Sequence, residues 1–426
     1  MIDNSKHKIG RREFLGSAAA ASFMILKPEL VRGTAANSAV RLGILGVGGR
    51  GTAVGSGFVE NAGVRVVALA DMFQDALDVG RKHFDELQSK RGVPAIEEAQ
   101  IFKGPRAFEH IAHSKEVDFV LVTTPPYYHP HHLEEVVKAG KHVYCEKPVA
   151  VDVPGAKRVM EFGEKAKGKL SLDVGFQIRM APPFVDLVER LHKGAIGPIG
   201  CGLAYYYCGH LDRPSWPNAS DMEKKLRNWV WYRDLSGDII VEQNVHIIDV
   251  CNWIMQGHPE KAVGSRSRKH RTDVGDCSDN YNLVFTYPGD VAVSFGSTQF
   301  DNPEFDAAVR FFGTKGSCEA HYDHRMKISG DNPWDAGLGP AKESGQFSAA
   351  GTFKGTLDHA DEEKQKAFVE SITSGNYHNQ AQQGAESALS GMLGRMATEE
   401  GKLITWEELM KSKHENEPKI DLNKLA

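Results

Sequence analysis

Short continuous apolar runs punctuate the first half of the chain. Residues 40–45, 64–69, 117–122 and 170–176 each have the length and branching of a strand buried on both faces. Between them, residues 75–90 and 108–112 carry apolar positions at helical spacing. A strand–helix alternation of this kind predicts a doubly wound parallel sheet. From about residue 185 the pattern changes. A helix over 185–191 stops at Gly194 and Gly197-Pro198. The runs 199–208, 281–287, 291–298 and 307–312 then alternate apolar and polar positions, with a turn at Pro288-Gly289-Asp290. That predicts an open, mainly antiparallel sheet. Two more helices are expected over 361–374 and 381–399, and 404–406 reads as a strand or a lead-in. Residues 331–355, rich in Gly, Pro, Ser and Ala, read as a long loop, and 411–426 as a polar, frayed tail. The expectation is an α/β protein with a Rossmann-type domain over 37–180 and an α+β domain over 181–410.

The first two apolar runs frame the strongest local motif. Gly46-Val47-Gly48-Gly49-Arg50-Gly51 is a G-x-G-x-x-G between a strand and a helix, and Asp71 closes the next strand. Together these make a full dinucleotide fingerprint. Gly46 allows a sharp turn, Gly48 a close approach of backbone to pyrophosphate, and Gly51 close packing of helix on sheet. The helix N-terminus offers N–H groups to phosphate. Asp71 can accept hydrogen bonds from the adenosine ribose hydroxyls and would repel a 2′-phosphate, so NAD is favoured over NADP. Gly49 and Arg50 remain open: Arg50 could touch the pyrophosphate or only solvent.

Composition narrows the class. Fifty-one Lys and Arg against 56 Asp and Glu give a net charge of −5 with no basic stripe, which argues against nucleic acid as a partner. No stretch is long and apolar enough for a membrane span in the mature protein. Residues 1–36 stand apart. Arg11-Arg12-Glu13-Phe14-Leu15 precedes a short Ala-rich apolar run to Leu26, the pattern of a twin-arginine export signal. A periplasmic or otherwise exported protein is therefore expected. Because that route carries folded proteins, a dinucleotide would be loaded before export and released slowly. The six cysteines show neither C-x-x-C nor metal spacing and read as buried thiols. His129, His131 and His132 form a tempting cluster, but Pro130 opens a helix that should make them diverge, with His131 and His132 on the surface. No metal site is expected.

Two further motifs carry chemistry. Thr124-Pro125-Pro126-Tyr127-Tyr128-His129 follows a strand at the sheet edge where ligands bind. Glu146-Lys147-Pro148 ends the next one. With the glycine loop, these resemble the glucose–fructose oxidoreductase/inositol dehydrogenase (Gfo/Idh/MocA) family in the right order, over nearly the whole exported chain. The resemblance implies that Thr124, Pro125, His129, Glu146 and Lys147 border the cofactor, and that Lys147 touches both the nicotinamide end and the substrate hydroxyl. An ammonium there would favour the alkoxide character that builds as hydride leaves. It also implies that Gln177 and Arg179 border the active site; Arg179 could equally hold a structural carboxylate. In the second domain, Glu242, His246 and Asp249 match the family's acid–histidine–acid pattern. Glu replaces the usual Asp, and Asn244 the usual glycine. On one helix the three would share a face, and a neutral His246 would serve as the base. Trp229, Trp231, Tyr232 and Trp253 crowd the neighbourhood.

The resulting expectation is an NAD-dependent oxidoreductase acting on a carbinol carbon of a sugar, sugar derivative or cyclic polyol. Lys147, His246 and Glu242 are its catalytic residues, and Lys147, Arg179, Glu242 and His246 contact the substrate. The family's second domain implies a homo-oligomer. Two alternatives stay open: a glycosidase that oxidises, eliminates and re-reduces with a recycled NAD, and a non-catalytic sugar-binding relative.

Overall fold

The computed structural model describes residues 39–209, 211, 214–300, 305–322, 325–338, 357 and 359–425. The twin-arginine stretch and most of the 331–355 loop lie outside these residues.

The first sheet contains β1 (Arg41–Leu45), β2 (Arg65–Asp71), β3 (Ile101–Lys103), β4 (Phe119–Val122), β5 (His142–Cys145) and β6 (Leu172–Val174). All pair in parallel in the order β3-β2-β1-β4-β5-β6. The connecting helices are α1 (Gly49–Ala62), α2 (Gln74–Ser89), α3 (Ala107–His113), α4 (His129–Lys138) and α5 (Val153–Ala166). The strands β1, β4 and β5 are almost wholly apolar because helices cover both faces. The strand order reverses between β1 and β4, so the crevice outside their C-terminal ends is where a ligand sits.

Beyond α6 (Pro182–His192) comes a nine-stranded sheet. Its strands are β7 (Ile199–Cys208), β8 (Lys261–Ser267), β9 (Asn280–Tyr287), β10 (Val291–Gln299), β11 (Asp306–Gly313), β12 (Gly316–His321), β13 (Met326–Gly330), β14 (Trp334–Asp335) and β15 (Ile404–Thr405). Their order is β14-β13-β12-β11-β7-β10-β9-β8-β15. Only β7 and β10 pair in parallel, so the sheet is mixed and mainly antiparallel. The short helices α7 (Asp221–Arg227), α8 (Arg233–Ser236) and α9 (Ile239–Glu242), with α10 (Val245–Met255), lie between β7 and β8. Trp334–Asp335 puts a strand into the stretch expected as loop.

The C-terminal helices α11 (Ala360–Ser374) and α12 (Ala381–Glu400) return to the first domain. Phe368 of α11 joins Phe58, Phe119 and Tyr144 in an edge-to-face aromatic cluster with centroids 5.2–5.9 Å apart. A Cβ at Gly163 of α5 would lie 2.3 Å from the Ala381 Cβ, so glycine lets α12 approach.

The tail after α13 (Trp406–Met410) is anchored, contrary to the fraying expected from its polarity. The backbone N–H of buried Asn416 donates to Asp152 Oδ2 (2.9 Å), and Lys225 Nζ donates to the carbonyl of Pro418 (2.7 Å). The tail is held by its backbone groups, bonded to side chains elsewhere in the fold, which composition alone does not reveal. Five of the six cysteines are buried, but Cys201 is exposed on β7.

Candidate active site and cofactor cleft

A cleft of about 780 Å³ opens at the C-terminal ends of β1, β2 and β4. Gly46 (φ 94°) turns the chain out of β1, and its N–H donates to the carbonyl of Ala70 (2.8 Å). A Cβ at Gly51 would lie 2.0 Å from the Gly46 carbonyl oxygen and 2.7 Å from Thr123 Oγ1, so this glycine serves helix–strand packing. A Cβ at Gly48 or Gly49 would meet no protein atom within 4 Å; both residues line the cleft. Space is thus kept beside the uncapped N-terminus of α1, where anions are favoured.

Asp71 lines the cleft and accepts hydrogen bonds from the backbone N–H of Val47 (2.7 Å) and of Phe73 (3.0 Å). Burial pushes its pKa up, against the opposing pull of these N–H groups. Thr124 and Pro125 complete the β4 side. A glycine cradle at a helix N-terminus with a carboxylate at the end of β2 fits a dinucleotide.

Not every expected cofactor residue reaches this cleft. Arg50 turns instead to Glu146: its Nε and Nη2 donate to one carboxylate oxygen at 3.0 and 2.8 Å, and Nη2 also reaches Gln177 Oε1 at 3.3 Å. The other Glu146 oxygen accepts the Lys147 N–H at 3.2 Å. Gly175 makes room for this carboxylate, since a Cβ there would sit 2.6 Å from it. Arg50 and Glu146 therefore tie the glycine loop to the lysine strand from behind the cleft. His129 is buried between the carbonyl oxygens of Pro148 (Nδ1, 2.8 Å) and Thr124 (Nε2, 2.6 Å), and so fastens those two loops together. His132, expected on the surface, is buried and lines the cleft, with its Nδ1 2.9 Å from Thr124 Oγ1. His131 is exposed.

The Lys147 ammonium donates to both the carbonyl (2.7 Å) and the carboxylate (2.9 Å) of Glu242. Both side chains are about seven-eighths covered, so the charges are poorly screened. Glu242, His246 and Asp249 do not share one helix, because the chain breaks at Gln243-Asn244 between α9 and α10. His246, on the first turn of α10, packs edge-on against Phe176, and its Nδ1 is buried with no protein partner. Burial, then the charges of Lys147 and Arg50, hold its pKa well below the ordinary value, so the ring is neutral at pH 7. Asp249 points elsewhere. It accepts two hydrogen bonds from Arg179 (2.9 and 3.0 Å) and one from Ser387 Oγ (2.7 Å). Arg179, expected at the substrate, thus holds a buried carboxylate, and its guanidinium lies 5.2 Å from the Trp253 ring. Trp229 lines the cofactor cleft, while Trp231 is buried.

Sequence reasoning missed the far wall of the cleft. Trp216, Leu226, Arg227 and Trp229 from the second domain, and Leu422 from the tail, all line it. No periodicity marks a loop tryptophan or a tail leucine as facing a ligand.

Parallel-sheet topology, glycine cradle and acidic strand end together define a dinucleotide-binding architecture. Residues 40–174 match the family described as "Oxidoreductase family, NAD-binding Rossmann fold", and residues 184–319 match the GFO/IDH/MocA C-terminal domain. The chain belongs to the Gfo/Idh/MocA family of NAD-binding oxidoreductases. It is 24% identical to a myo-inositol 2-dehydrogenase of Thermotoga maritima over 87% of this chain and 100% of that protein. An inositol 2-dehydrogenase of Paracoccus denitrificans is 33% identical over 53% of this chain and 56% of that protein. Among solved structures, the aldose–aldose oxidoreductase of Caulobacter crescentus superposes with a TM-score of 0.64 at 20% identity, covering 86% of this chain and 99% of that one. A levoglucosan dehydrogenase in complex with NADH and levoglucosan gives 0.66 at 17%, covering 86% and 99%.

Proposed function

We propose that this protein is an exported oxidoreductase that moves hydride between NAD(H) and a carbinol carbon of a sugar, sugar derivative or cyclic polyol. The observation that carries the reading is the Lys147–Glu242 pair set beside a neutral, unpartnered His246. Inositol, aldose and levoglucosan enzymes among the relatives support the substrate class.

Each side chain has a task that follows from its chemistry. The neutral imidazole of His246 takes the hydroxyl proton in the oxidation direction and returns it in reduction. Lys147 stabilises the negative charge that builds on the substrate oxygen. Glu242 accepts from the ammonium and so fixes it in place. Gly48, Gly49 and the start of α1 hold the pyrophosphate, and Asp71 holds the ribose hydroxyls. Bound NAD supplies the hydride acceptor. Lys147→Ala and His246→Ala, assayed by absorbance of the reduced cofactor against a panel of polyols and aldoses, should each lose activity about a hundredfold or more. Full turnover in both variants would overturn the proposal.

The twin-arginine motif supports export. Changing Arg11 and Arg12 together to lysine should leave the protein in the cytoplasm, and unchanged export would refute that part.

A further inference from the structure

We infer that α7 and the C-terminal tail form a latch over the adenosine half of the cofactor, which makes NAD a slowly exchanging resident of the enzyme. The inference rests on the NAD reading above and concerns residues outside the dinucleotide fingerprint.

Its centre is Arg227, the last residue of α7. The guanidinium lies between two aromatic rings, 3.7 Å from the centroid of Phe73 and 4.3 Å from that of Trp216. Its Nη1 and Nη2 donate to the two oxygens of Asp75 at 3.0 and 2.9 Å, and its Nε donates to Glu223 at 2.8 Å. Phe73 and Asp75 follow Asp71 directly in the chain, whereas Trp216, Glu223 and Arg227 come from the second domain. One cation therefore joins the two domains beside the carboxylate that faces the ribose. The Arg227 side chain is only 12% exposed, whereas Asp75 is half-exposed, so the fastening combines a covered cation with a partly solvated carboxylate.

Two further observations point from this bridge to a ligand. The indole N–H of Trp216 is buried without an acceptor, although Trp216 lines the cleft. A buried donor left unpaired is costly, and the acceptor-rich adenosine supplies what it lacks. The tail adds a second fastening. It is tied through Asn416 to Asp152 and through Pro418 to Lys225 of α7, and then places Leu422 on the cleft wall. Trp216, Arg227 and Leu422 thus all stand on the wall that a seated dinucleotide would meet.

The test is the rate at which bound NADH leaves. Full-length protein is loaded with NADH and chased with excess NAD, and the loss of NADH fluorescence is followed over time. Arg227→Ala should release NADH at least about tenfold faster than the wild type, the equivalent of about 1.4 kcal/mol. Asp75→Asn, at a half-exposed position, should also speed release, as should Leu422→Ala. Wild-type release rates in Asp75→Asn and in a folded Arg227→Ala would overturn the latch while leaving the NAD reading intact. A wild-type protein that takes up no dinucleotide would overturn both.

Discussion

Arg50 shows how a residue in a recognised motif can act at one remove. Its position in the glycine loop suggested pyrophosphate or solvent. The structure gives it a buried ion pair with Glu146, whose second oxygen holds the Lys147 N–H. Its charge also helps keep His246 neutral, together with Lys147 and burial. The acid limb of kcat/KM for oxidation should therefore lie well below pH 6.5 in the wild type. Removing a nearby cation favours the imidazolium and raises the pKa of His246. Arg50→Gln should thus move the acid limb to higher pH, whereas Arg50→Lys should move it less; a limb unmoved in Arg50→Gln would contradict this electrostatic role. Lys147 and Glu242 could be singled out through the family resemblance, because both lie in motifs that the chain carries at matching positions. The partners of Arg50, Arg179 and His129 could not, since each is fixed by long-range packing. The Arg179–Asp249 clamp, for example, joins residues 70 apart.

At the scale of elements, the stretch 46–51, from the end of β1 into the first turn of α1, divides its glycines between two jobs. Gly51→Ala places a methyl against the Gly46 backbone, which cannot move away, and should destabilise the fold by about 1–3 kcal/mol. Gly48→Ala meets no protein atom. It should leave the melting temperature nearly unchanged while weakening NADH binding, measured by fluorescence titration. The reverse pattern would contradict the assignment. Most of the parallel sheet was legible because its strands are short apolar runs flanked by helical spacing; β3 (IFK) is too short to stand out. The second sheet was legible only in part. Strands β7, β9, β10 and β11 alternate clearly, but β8 (KAVGSRS) and β13 (MKISG) are too polar or too short to stand out. Pairing with better-marked neighbours makes them strands. The break between α9 and α10 was likewise hidden, because an uninterrupted helix satisfied the same spacing of Glu242, His246 and Asp249.

The whole molecule adds two expectations. Leu203, Tyr207 and Val263 are 36–44% exposed on one sheet, around a concavity also lined by Tyr205 and Val284. Apolar patches of this kind support association, and we propose that a second copy covers this one. Leu203→Glu with Tyr207→Glu should lower the mass measured by light scattering, and an unchanged mass would argue against that face. The second expectation concerns acid. Burial holds His129, His132, His142 (to about 4) and His246 below the ordinary histidine value, while carboxylates raise His321 and His378 despite partial burial. As pH falls from about 7 to about 6, the unfolded chain takes protons at the first four that the fold refuses, so stability drops. The last two oppose this, because their folded forms bind protons more readily. The larger group sets the sign, and the melting temperature should fall over that interval; a rise would show that the His321 and His378 pairs dominate.

The most direct test of the account is to identify and quantify the dinucleotide that copurifies with the full-length protein. Near-stoichiometric NAD or NADH, with NADP absent, is the predicted result, as the Gly48 cradle and the Asp71 carboxylate require. A protein that carries none and cannot be loaded with NAD would contradict the central claim.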